Sequence, residues 1–174
     1  IREPQDPLLH VSRAVLDHVL GKLCVHKSVH GAHAGTSIVT NVRVHAGFGR
    51  SFYQLDLKDA FPSTNRARLK ANLLPKIFEV VERSTDLARE DCQTLACLLV
   101  ELALVDDTLP QGFPTSPAVL NVVLYPLDRA ISRLLQEESR KTSVMYRYTR
   151  FVDDLTISSN SLGISADLRM RIRN

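Results

Sequence analysis

A chain of 174 residues with 44% hydrophobic side chains can bury a core, which excludes a disordered tail and fits one domain or two small subdomains sharing a core. The net charge of +3 and isoelectric point near 8.9 suit a phosphate-rich partner without demanding one. No apolar run approaches the ~18–20 residues of a membrane span and no signal-peptide pattern opens the chain, so a cytoplasmic protein with no membrane partner is expected.

Asp6-Pro7 has the pattern of an N-cap followed by a first helical residue, and Leu8, Val11, Val15, Val19 and Leu23 recur at helical spacing. An amphipathic helix is expected there. Residues 26–49 mix Gly, His, Ser and Thr and read as loop with a short helix near 36–44. Cys24, Cys92 and Cys97 match no CxxC spacing and read as reduced thiols, while Cys24, His26, His30 and His33 fit no common zinc spacing.

The run SFYQLDL at 51–57 suits a strand with Tyr53, Leu55 and Leu57 on one face, and Asp56 near its end. A basic helix is expected over 66–74, stopped near Pro75. Leu87, Leu95, Leu98, Leu99 and Leu102 mark a longer buried one. Ser116-Pro117 opens a third long helix running toward Gln136, which Pro126 should kink or split. Residues 144–152 and 155–158 are β-prone, with Asp153-Asp154 at the reversal between them. Arg169, Arg171 and Arg173 make a basic tail, read as a solvated helix face or a nucleic-acid contact. Helices interleaved with irregularly ordered strands predict an α+β fold, an antiparallel sheet with helices on one face.

Paired acids at a hairpin tip with a third from another strand are what two divalent cations need for displacement at phosphorus. Val-Asp-Asp occurs twice, however, at 105–107 and at 152–154. The first copy follows an apolar helix and reads as a solvated helix end, so the tripeptide alone decides nothing.

The ordered set FYQLDLKDAFPS at 52–63, LPQGFPTSP at 109–117 and YTRFVDDLTIS at 148–158 resembles motifs A, B and C of reverse transcriptases. The PQGFPTSP and FVDDLT wordings resemble the bacterial retron-type branch, and HAGTSIVTNVRVHAG at 33–47 is similar to that branch's fingers region. The resemblance implies a right-hand polymerase palm at 51–65 and 109–174, mainly helical fingers at 1–50 and 66–108, and no thumb. It implies RNA-directed DNA polymerase activity in a retron-like or related phage-defence role, with an RNA template, a DNA or RNA primer and deoxynucleoside triphosphates as partners. Asp56 and Asp153 become the principal ligands of two Mg²⁺ ions, which Mn²⁺ could replace, with Asp154 as third acid and the Leu57 carbonyl as an extra ligand. Asp59 and Ala60 would offer backbone amides to the triphosphate. Phe61 would crowd a ribose 2′-hydroxyl, and Gln111 and Gly112 would pack near the nascent pair.

Phe151 and Val152 depart from the family's usual tyrosine and alanine or methionine, which implies tuned rather than lost activity. Ile1 and Asn174 look cut from a longer chain whose remainder, with the thumb, would be a partner. The alternative reading is a truncated, non-catalytic nucleic-acid-binding palm module within a larger assembly.

Overall fold

The computed structural model describes residues 5–173. Contacts divide the chain into two compact units, Ile1–Val25 with Asp59–Val123, and His26–Lys58 with Leu124–Asn174.

The first unit is helical. Helix α1 spans Leu8–His18 and its cap is Pro7, which makes no side-chain cap bond. Asp6 is therefore not the expected cap; its carboxylate lies 3.4 Å from the His10 ring instead. The expected apolar stripe breaks after His18, where a 3-10 turn at Leu20–Lys22 rotates Leu20 and Leu23 into the core while Val11 stays 43% exposed.

The next helix in sequence, α2 at Ile38–His45, belongs to the second unit. Helix α3 covers Arg66–Asn72 and is capped by the Asn65 side chain, which accepts from the Arg68 amide at 3.1 Å. That helix stops near Pro75 as expected, two residues early at Asn72, but the helical course goes on. A new helix, α4 at Leu74–Ser84, begins at once with Pro75 in its first turn, where a missing amide costs nothing.

Helix α5, Arg89–Leu102, buries Cys92, Ala96, Leu99 and Val100, a 3.6-residue stripe whose small members suit the packing of α5 on α4. Leu98 and Leu102, expected to be buried, face outward, and Leu87 lies ahead of the helix and exposed. Helix α6, Ser116–Val123, is apolar on most sides and ends this unit.

The second unit holds an antiparallel sheet of β1 (Ser51–Asp56), β2 (Tyr146–Phe151) and β3 (Asp154–Ser159) in the order β1-β3-β2. Alternation sorts its side chains to two faces. Tyr53, Tyr148, Leu155 and Ile157 point to an apolar core shared with Ile131 and Leu135 of α7 (Tyr125–Thr142) and Leu168 and Ile172 of α8 (Ala166–Arg173). The split at Leu124, before a helix with Pro126 in its first turn, is where the sequence placed it.

The opposite face carries Gln54, Asp56, Thr149, Thr156 and Ser158 in register. Helix α2 packs on β2, with His45 bridging Ser158 Oγ and Thr149 Oγ1 at 2.7 Å each. The α+β class and hairpin agree with expectation, although α2 adds a helix to the second face. The basic tail lies on the outer side of α8, with Arg169 and Arg173 exposed, Arg173 donating to the Tyr53 hydroxyl at 2.7 Å and Arg171 pairing with Glu138 at 3.0 Å.

Candidate active site

Strand β1 ends on Asp56 and β3 begins on Asp154, and the two are direct partners in the ladder. Directly opposed residues share a face with Cβ atoms about 4.5–5.5 Å apart. Asp153 occupies the two-residue reversal just before β3, and its carbonyl accepts from the Leu57 amide at 3.1 Å, extending the β1 pairing past Asp56. The reversal falls one residue earlier than expected, because Val152 and Asp153 form the turn while Asp154 is already strand.

Such an arrangement opposes folding, since like charges directly across a ladder repel. Partial burial first, then Asp153, then Asp56 hold the Asp154 carboxyl above its ordinary range. Among the described residues, no lysine, arginine or histidine forms an ion pair with any of the three acids. Repulsion retained without a protein counter-charge makes the three acids a candidate functional site.

Among the described residues no three His, Cys, Asp or Glu side chains stand together as a cage for a metal ion. Mg²⁺ does not need one, because it is held through one or two carboxylates with water and substrate phosphates completing the shell. The hard oxygen donors of Asp56, Asp153 and Asp154 fit that ion in chemistry. His26 and His30 are spent locally: His26 Nδ1 accepts from the Ser28 amide at 3.3 Å, and His30 Nδ1 bonds Thr40 Oγ1 at 2.9 Å.

The other Val-Asp-Asp serves as an internal control. Helix α5 closes at Leu102, and residues 105–108 form a separate tight turn with Asp106 and Asp107 at positive φ (50° and 64°). It is therefore not the helix end expected from sequence. Arg66 donates to Asp107 at 2.6 Å and also bonds Glu101. Both copies make reversals; in this one Asp107 is neutralised.

Behind the 152–153 reversal lies a pair that sequence reasoning missed. Arg150 and Asp128 are both fully buried, at 0% exposure, and their two-pronged contact measures 2.9 and 2.8 Å. The Tyr148 hydroxyl donates to Asp128 at 2.6 Å, and burial, then the Asp128 charge, push that phenol well above its usual value. The one sequence signal was parity, since Arg150 falls in register with the inward-facing Tyr148 and Tyr146.

The remaining expected site residues belong to the first unit. Residues 59–64 form a compact turn in which Asp59, at φ 52°, accepts from the Ser63 amide at 2.8 Å, and Ala60 accepts from the Thr64 hydroxyl at 2.8 Å. The Phe61 ring is buried, 9% exposed. The Leu109 amide donates to Thr64 at 2.9 Å, which brings 109–112 beside that turn. Gln111 and Gly112 are exposed, Gly112 at φ 104°, a conformation that favours glycine. Gln111 lines a concavity of about 250 Å³ with Pro62 and Asp106.

No family model matches the chain. It is 36% identical over 167 residues to the retron Mx162 reverse transcriptase of Myxococcus xanthus, covering 91% of this chain and 32% of that protein. It is 33% identical to the retron Mx65 reverse transcriptase of the same organism, covering 93% and 38%. To the retron Ec73 reverse transcriptase of Escherichia coli it is 28% identical, covering 95% and 50%. The chain thus spans about a third to a half of the length of these relatives.

Proposed function

The chain belongs with the retron-type reverse transcriptases, matching about a third to a half of their length, and on that premise we propose that it carries the reaction centre of an RNA-directed DNA polymerase. The observation that carries this reading is the pairing of Asp56 with Asp154, with Asp153 in the adjoining turn and, among the described residues, no cationic side chain in an ion pair with them.

In this reading residues 51–65 and 109–174 are the palm, and residues 1–50 and 66–108 are the fingers. Asp56 and Asp153 are the principal Mg²⁺ ligands, with Asp154 and the Leu57 carbonyl beside them. The chemistry that bound Mg²⁺ supplies is neutralisation of charge on the attacking 3′-oxygen and on the departing pyrophosphate. The primer's 3′-oxygen forms a bond to the α-phosphorus of a deoxynucleoside triphosphate, the bond to pyrophosphate breaks, and the 3′-hydroxyl proton passes to water.

The chain's own groups orient this exchange. Amides of Asp59 and Ala60 receive the triphosphate, Phe61 excludes a 2′-hydroxyl, and Gln111 with Gly112 borders the nascent pair. An RNA template annealed to a DNA or RNA primer is the expected substrate.

Mg²⁺-dependent extension of a primer on an RNA template, with this chain and with the whole product of its gene, tests the reading. Asp153→Asn should lower extension by about 10²-fold or more with an unchanged circular dichroism spectrum. Native extension by that variant would falsify the metal assignment. Nucleic-acid binding without extension by either length would instead make the chain a binding module.

A further inference from the structure

The buried pair behind the acids does more than fill space. Replacing a buried ion pair by well-packed apolar residues is often neutral or stabilising, so stability alone gives weak reason to keep Arg150 and Asp128 in the interior. Arg150 uses Nε and Nη2 on Asp128, and Nη1 donates to the Val152 carbonyl at 2.6 Å. Val152 is a β-branched residue at φ 59°, a conformation that persists only where its surroundings over-determine it.

Its carbonyl is half of the peptide unit that joins it to Asp153. Holding that oxygen fixes the plane of the peptide before Asp153, and the Leu57 amide on the Asp153 carbonyl at 3.1 Å holds the peptide after it, so the two together set the direction in which the Asp153 side chain leaves the backbone.

The base of the turn is gripped from the other side as well. The Arg150 amide donates to Ser28 at 2.7 Å, and the Arg150 carbonyl accepts from His30 at 2.8 Å. Gly31 then passes so close that a Cβ there would meet Val152 Cγ2 at 2.9 Å and the Val152 nitrogen at 3.0 Å. A guanidinium locked by a carboxylate and a backbone segment closing without a side chain converge on one residue, Val152.

We propose that Arg150, held by Asp128, is a positioning residue that orients the Val152–Asp153 peptide and through it the Asp153 carboxylate, with Gly31 allowing residues 28–31 to back the turn. The proposal rests on the reading of the three acids as the reaction centre. The strut itself is a statement about backbone order.

The test uses the whole gene product and the paired variant Asp128→Leu with Arg150→Met, which removes both charges together and so leaves neither stranded. Arg150→Lys keeps the charge but loses the fork that serves two acceptors at once. With the melting temperature near native, the paired variant should lose about 10²-fold in kcat, the scale of a 1 Å misplacement. The Mg²⁺ concentration for half-maximal extension should rise, and Arg150→Lys should fall between the two.

Amide hydrogen exchange at residues 152–154 should quicken in both, a readout that does not depend on polymerisation. If the unsubstituted protein extends no primer, the catalytic reading fails while exchange still judges the strut. Should the paired variant not fold, Arg150→Lys and Gly31→Ala carry the test, with the same gains in exchange expected. Native kcat, Mg²⁺ response and turn exchange in folded variants overturn the proposal.

Discussion

Three influences disfavour the charge of Asp154: partial burial, Asp153 beside it and Asp56 across the ladder. A carboxyl raised in the folded state contributes stability below its unfolded value and loses that contribution as pH rises through the folded one. At neutral pH its charge is therefore a cost. Asp154→Asn should raise the melting temperature in metal-free buffer by about 1–3 °C while primer extension falls, and Mg²⁺ should stabilise the native protein more than the variant. Differential scanning fluorimetry with and without Mg²⁺ reads both. Phe61→Val should weaken exclusion of ribonucleotides by about tenfold or more, measured by competing dATP against ATP; unchanged selectivity would remove the ring from that role. The acids were legible because three motifs occur in order around them. Arg150 and Asp128 were not, because an arginine in a β-prone run and an aspartate after a proline look like surface residues until strand parity is known.

Among the elements, α7 ends on Ser143 at φ 58°, with its amide bonded to Ser139 at 3.0 Å. A left-handed residue at a helix C-terminus is a position suited to glycine. Ser143→Gly should therefore stabilise by about 1 kcal/mol, seen as a higher urea midpoint with an unchanged slope. The sequence was informative wherever one residue imposes a backbone constraint: Pro126 divides α6 from α7, and Asp153 lies at a reversal. It fell short where the same residue type serves two ends of a helix. Pro75 was read as a stop, and α3 does end before it at Asn72; that Pro75 also sits in the first turn of α4 was not foreseen, because nothing local distinguishes the two uses. The α5 leucines misled differently, since burial there follows Cys92 and Ala96, whose small size suits the packing against α4.

At the scale of the molecule, His26, His30 and His45 all lie in the second unit, and burial, the leading cause at each, holds all three below the ordinary value of 6.5. Groups depressed in the folded state contribute stability that is complete above the unfolded value and is lost as pH falls toward the folded one. The urea midpoint should therefore drop between pH 7.5 and 5, with exchange accelerating first around α2 and β2, and His45→Gln should flatten the pH dependence. Uniform exchange across both units would count against this. Each of the two units is assembled from two separated stretches of chain. That separation bears on the order of folding. The β2–β3 hairpin closes over a two-residue loop, whereas β1 reaches β3 only by bringing Asp56 to Asp154, about a hundred positions later. Closing so long a loop carries a larger entropic cost and is intrinsically slower. The acids therefore meet only when β1 docks, and an excursion that frees β1 alone would part Asp56 from Asp154 with the hairpin intact.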